Sequence, residues 1–107
     1  MKLIKIFVVL ATLTVSSQTI LALESWEGKL TNLEPTYMPN NIRFHMDSGN
    51  STCPAGKALK WDKDNTENHN VIYSTLLAAF LAGRTIKLYI QDGDTTCTGS
   101  FLHLKNY

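Results

Sequence analysis

DNTENHNVIYSTLLAAFLAGRTIKLYI, residues 64–90, holds the two periodicities that decide the fold. Asp64-Asn65-Thr66-Glu67 has capping-box spacing, with Asp in place of Ser or Thr. Gly83 stands where a helix end favours left-handed backbone. The reading is a helix over roughly 67–82, with Ile72, Tyr73, Leu76, Leu77 and Phe80 on one arc as its core face. Immediately after the stop signal the period changes. Thr85 to Ile90 alternates, with Ile86, Leu88 and Ile90 to one side and Thr85, Lys87 and Tyr89 to the other, the pattern of a half-buried strand.

Working outward, Ile42-Arg43-Phe44-His45-Met46 repeats that alternation, with Ile42, Phe44 and Met46 inward. Trp26 to Leu33 reads as a first strand and Lys57 to Asp62 as a short third one, with Leu59 and Trp61 inward. Residues 34–41 form a loop, because Pro35, Pro39 and the Asn40-Asn41 pair interrupt any ladder. Residues 47–52 and Asp92-Gly93-Asp94 carry turn chemistry. Cys97 to Leu104 reads as the last strand, with an ambiguous inward face, since Phe101, Leu102 and Leu104 cannot share one side. The order β-β-β-α-β-β describes a mainly β domain with one helix. It predicts an OB-fold-like five-stranded antiparallel barrel, whose closure would hide the sheet edges.

The helix has an unusual second face. From Asn70 to Gly83 it carries no charge, and the arc opposite the expected core holds Val71, Ser74, Thr75, Ala78 and Ala82. A helix without a charged side is normally covered on both sides. A single small domain has no second layer to cover it, so the expected cover is another copy of the chain, with these five residues as the oligomer interface.

The N-terminal segment predicts export. Lys2 and Lys5 precede an apolar run from Ile6 to Val15, and Ile20-Leu21-Ala22 ends on a small residue. This is signal-peptide composition, with cleavage expected after Ala22 or, as a second choice, after Thr19. The run is too short for a membrane span, which needs about 20 residues. Residues 1–22 are thus read as the signal peptide and 23–107 as one domain, periplasmic or secreted. A domain of this size buries only about 60% of its unfolded surface and needs reinforcement. Cys53 and Cys97 are the only cysteines, and in an oxidising compartment they read as a disulfide. Closing a loop of 44 positions contributes about 4 kcal/mol in the chain-entropy model.

Several function classes are excluded or disfavoured. A net charge of +1, with 10 basic and 9 acidic residues, leaves no electrostatic footprint for nucleic acid. No GxSxG, P-loop, HExxH or GxGxxG occurs, so no catalytic set is expected. No cofactor or metal is expected either. His45, His69 and His103 lie on different elements and read as surface histidines, although His45 and His103 could meet across strands. Asp92-Gly93-Asp94 is too short for a calcium loop. Asn50-Ser51-Thr52 is a glycosylation sequon in a polar loop. Outward aromatics beside Asn, Asp and Arg suit sugars, which present C–H faces and hydroxyls together. On that ground Tyr37, Arg43 and Tyr89 are the candidate ligand-binding residues.

Cys53-Pro54-Ala55-Gly56, the helical run Val71-Ile72-Tyr73-Ser74-Thr75-Leu76-Leu77-Ala78-Ala79, the strand Gly83 to Tyr89, Cys97 and Phe101-Leu102-His103-Leu104 form a further pattern. It resembles the small exported bacterial proteins related to the subtilase cytotoxin B subunit and other pertussis-like toxin B subunits. The resemblance covers about half the chain and rests on core and cysteine positions. It implies an OB-fold subunit in a ring of five with helices lining the centre, glycan binding on the outer surface and an enzymatic A subunit as partner. Residues 24–46 do not match the family's sugar pocket, so no ligand residue is carried over. The expected function is a non-enzymatic, glycan-binding, homo-oligomeric B-type subunit. The alternative is a small periplasmic or secreted binding or inhibitor protein, acting on a protein partner as a monomer or dimer through residues 34–41.

Overall fold

Alternation in the chain becomes burial in the computed structural model, which describes residues 22–63 and 65–107. The expected signal segment therefore lies, through residue 21, outside the described residues, as does Asp64. Strand β3 (Ile42–Met46) buries Ile42, Phe44 and Met46, and β5 (Ile86–Gln91) buries Ile86, Leu88 and Ile90. Strand β4 (Leu59–Trp61) places Leu59 and Trp61 inward. With β1 (Leu23–Gly28), β2 (Leu30–Glu34) and β6 (Gly99–Leu104), these make two three-stranded antiparallel sheets, ordered β1-β5-β6 and β2-β3-β4.

The closed five-stranded barrel is not formed, and the element order is β-β-β-β-α-β-β. The added strand comes from a break at Lys29. Its N–H donates to the Asp47 carboxylate and its carbonyl accepts from the Asp47 N–H, both at 2.9 Å. Lys29 thus stands opposite Asp47, at the edge of the β2–β3 pairing, and the expected first strand splits there. Its first half pairs with β5 and its second half with β3. On the other side, β4 is three residues long, and a single parallel bridge, Lys60–Thr98, connects it toward β6. The expected last strand also starts later, at Gly99, and turns Leu102 rather than Phe101 or Leu104 toward the core.

Helix α1 (Thr66–Ala82) is capped by the Asn65 side chain, which accepts from the Asn68 N–H, rather than by the Asp64 box. It ends at Gly83 in left-handed backbone, φ 62°. Its buried residues are His69, Leu76 and Ala79, with Ile72 and Tyr73 packed beside them, whereas Phe80 is exposed. The buried arc is thus rotated from the expected one by less than one residue's step. Counting His69 as polar and Phe80 as core caused the offset.

Two devices hold the loops. Cys53 and Cys97 form a wholly buried disulfide with Cα atoms 5.9 Å apart. Cys97 itself has left-handed backbone, φ 56°, a conformation seldom taken by non-glycine residues. Beside it, burial acts to raise the Asp94 carboxyl, but hydrogen bonds from the Thr96 hydroxyl and N–H and from the Thr98 N–H outweigh that and keep it below its ordinary value. The second device is Glu24. Its carboxylate accepts from the Gly93 N–H at 2.6 Å, the Thr52 hydroxyl at 2.7 Å and the Asn50 amide at 3.1 Å. One side chain on β1 therefore joins the loops that carry the two cysteines. The Asn50 amide of the sequon is engaged in this contact, while its oxygen accepts from the Thr52 and Cys53 N–H groups.

Gly99 is required by close approach. A Cβ there would lie 2.7 Å from the Trp61 ring and 3.0 Å from Leu88. Gly99→Ala should lower stability by about 1–3 kcal/mol, the usual cost of overpacking a core. Urea unfolding measures this, and an unchanged midpoint would mean that Trp61 yields freely.

Glu24 makes stability pH-dependent. The Gly93 N–H and the Thr52 hydroxyl, with Asn50, favour its charged form and hold its carboxyl below the ordinary value of 4.5. The unfolded chain then binds the proton first. The contribution is complete above pH 4.5 and is lost as pH falls through the lowered value. Stability of the wild type should therefore drop more steeply than that of Glu24→Gln below pH 4.5. Parallel curves in urea titrations at stepped pH would show that Glu24 does not couple to folding.

Candidate functional site

A polar concavity lies where α1 begins. The loop before β3 supplies Pro39, Asn40 and Asn41; the end of β4 leads into Asp62 and Lys63; and the first helical turn brings Asn65, Thr66 and His69. Together they border a cleft of about 570 Å3. The chain folds this way locally for identifiable reasons. Asn40 and Asn41 both donate backbone N–H groups to the Tyr37 carbonyl, closing the turn that follows a 3-10 segment at Pro35–Tyr37. Trp61, buried on β4, donates its indole N–H to Asn68 at 2.8 Å and so docks the first turn of the helix.

His69 borders this arrangement and is 2% exposed. Neither ring nitrogen has a hydrogen-bond partner among the described residues, and the Oδ1 atom of Asn41 is likewise buried and unpaired. Buried polar atoms are nearly always paired, and each unpaired one costs about 1–3 kcal/mol. The surface-histidine expectation thus fails for His69, because position 69 falls on the core arc one and two turns before Ile72, Tyr73 and Leu76. Its spacing of two helical turns from Leu76 carries that signal, which the polar character of histidine masks. Asn41 had no such signal, since its burial depends on how the loop closes against the helix.

The remaining sequence candidates separate into two places. Tyr37 and Arg43 do meet, the guanidinium carbon lying 4.5 Å from the ring centroid, so one face of Tyr37 is already covered. Tyr89 lies on the other sheet and does not join them. It packs edgewise against Phe101, with centroids 6.2 Å apart, and His103, at 5.0 Å, while the Lys87 ammonium stands 5.2 Å from its centroid. His45 and His103 do not meet either. His45 contacts Asn32 at 3.2 Å on the β2-β3-β4 sheet, and His103 belongs to β6. Among the described residues no group of three metal-ligating side chains occurs, and no helix is long and apolar enough to cross a membrane.

The expected interface residues lie along the outer side of α1. Val71 is 62% exposed; Ser74, Ala78 and Ala82 are exposed and Thr75 is half-buried. Leu81, 75% exposed, joins them. The Ser74 and Thr75 hydroxyls donate to the carbonyls of Asn70 and Val71 one turn back, at 2.8 and 2.9 Å. Their polar atoms are therefore satisfied within the helix, and the face presents mostly carbon.

No protein-family model, curated protein or solved structure matches this chain.

Removing the imidazole tests whether it serves the fold. His69→Leu deletes a buried polar group that makes no hydrogen bond, so it should leave stability unchanged or raise it by up to about 2 kcal/mol. A fall in the thermal midpoint would show that His69 supports the core rather than the cleft.

Proposed function

We propose that this chain is a non-enzymatic, exported binding subunit that assembles with copies of itself through α1 and displays a repeated carbohydrate site. The observation that carries the assembly is the outer face of α1. It sets Val71, Ala78, Leu81 and Ala82 in solvent with no charged residue after Glu67. Burying each exposed aliphatic side chain in a subunit contact contributes on the order of 1.5–3 kcal/mol. The small residues between them permit close approach, and the Ser74 and Thr75 hydroxyl protons are already bonded within the helix. The resemblance to pertussis-like toxin B subunits supports a ring of five with the helices inward, a host glycan as ligand and an enzymatic A subunit as partner. The buried disulfide is compatible with an oxidising, periplasmic or secreted location. Repetition of a weak sugar site on one rigid ring raises avidity by about 10²–10⁴ without new contacts.

One observation favours the second reading, a small binding or inhibitor protein acting on a partner protein as a monomer or dimer. Pro35, Thr36, Tyr37, Pro39 and Asn40 are exposed on either side of half-buried Met38 and form a surface turn braced by Arg43.

Sedimentation of the mature protein separates the two readings. The wild type should sediment as a multimer. Ala78→Glu, which adds one like charge per subunit to the contact, should give folded monomers and lose binding to immobilised glycans. A wild type that sediments as a monomer would leave the surface turn as the better guide to function.

A further inference from the structure

Resting on the carbohydrate reading, we propose that the sugar site is the cleft at the start of α1, and that it takes a neutral, hydroxyl-rich unit held by Asn41 and His69. Four buried side-chain nitrogen or oxygen atoms lack partners among the described residues. Three of them, Asn41 Oδ1 and both His69 nitrogens, belong to residues that border this one cleft. The fourth, Trp26 Nε1, lies on β1 in the core. Two residues from elements distant in sequence thus hold unspent hydrogen-bonding capacity just beneath the lining of the same cleft. The side chain of Asn65 answers the Asn68 N–H, and N–H groups of a first helical turn have no intrahelical acceptors. A volume of about 570 Å3 falls in the range of small-molecule sites.

The chemistry of the lining selects the ligand class. Asn41 Oδ1 only accepts, and a neutral imidazole offers one donor and one acceptor. A hydroxyl supplies both roles, so a sugar can answer Asn41 Oδ1 with one hydroxyl and a single imidazole nitrogen with another, the two ring nitrogens pointing apart. An anionic ligand is disfavoured. Asp62 lines the cleft, and Glu67 occupies the first helical turn. The one lining ammonium, Lys63, is engaged elsewhere: it donates to the Ser100 carbonyl at 2.8 Å and lies 4.8 Å from the Trp61 ring centroid. The outer aromatics compete poorly for a sugar. Arg43 covers a face of Tyr37, and Lys87, Phe101 and His103 crowd Tyr89.

The test is an NMR titration of the isotopically labelled mature protein, reading the His69 imidazole and the Asn41 side-chain amide. D-galactose, D-mannose and N-acetyl-D-glucosamine are the probes, and inorganic phosphate is the control. At least one sugar should produce saturable shifts at both residues, and phosphate should not. Asn41→Leu should weaken that sugar about tenfold, the effect of losing one buried hydrogen bond, and Tyr89→Ala should leave it unchanged. If Asn41→Leu does not fold, the shift map of the wild type decides alone. Sugar shifts centred on Tyr37, Tyr89 or Phe101 would overturn the cleft and leave the carbohydrate reading standing. So would binding to immobilised glycans with no shift at His69 under any probe. A blank glycan panel together with a blank titration would overturn both, and phosphate shifts at His69 without sugar shifts would overturn the ligand class.

Discussion

Two three-stranded sheets that share no continuous ladder need something other than backbone hydrogen bonds to hold them together. Trp61 supplies it. The ring is 2% exposed at the end of β4, pressed against the bare backbone of Gly99 on β6. Its indole N–H reaches Asn68 on α1, and the Lys63 ammonium lies over its ring. One side chain therefore touches both sheets and the helix. Truncating a buried aromatic of this kind costs about 3–5 kcal/mol, a large part of what a small domain has. The same contact sets the first turn of α1 against the Asn40–Asn41 loop, so the geometry of the polar cleft follows from the packing of Trp61.

The loops that carry the cysteines are held by a covalent bond and by hydrogen bonds. The disulfide ties the segment after β3 to the residue that precedes the last strand, across 44 positions of sequence. Glu24 joins the same two loops from β1 by hydrogen bonds. These ties are complementary. The disulfide acts chiefly by restricting the unfolded chain, whereas Glu24 acts through the favoured ionisation of its folded form. A core built on a few strands of three to six residues gains from both.

Helix α1 divides into two surfaces with different logic. The inner arc places an unpaired imidazole among Leu76, Ala79 and Ile72, against the rule that buried polar groups are satisfied. The outer arc leaves Val71 and Leu81 in solvent, against the rule that a lone domain charges its exposed helix faces. Local departures from otherwise consistent patterning tend to mark places where function outweighs stability. Here both lie on one helix, the inner one at its first turn and the outer one along its length.

Strand alternation in 42–46 and 85–90, the stop at Gly83 and the pairing of Cys53 with Cys97 were legible from the sequence, because each depends on a local period, a backbone preference or a count of two. The mainly β class with one helix follows from those alone. The split of the first strand at Lys29 was not legible, since its two halves pair with different strands distant in sequence, β5 and β3. Nor was the open two-sheet arrangement, which depends on β4 being short and meeting β6 at one bridge. Periodicity placed the neutral outer stripe of α1 correctly but set the buried arc slightly off, because a histidine in the core counts as polar in any pattern. Whether Asn41 faces water or a helix, and whether Tyr37, Arg43 and Tyr89 gather or separate, were decided only by tertiary structure. Such contacts join residues distant along the chain, and local patterns carry no information about which distant surface a side chain will meet.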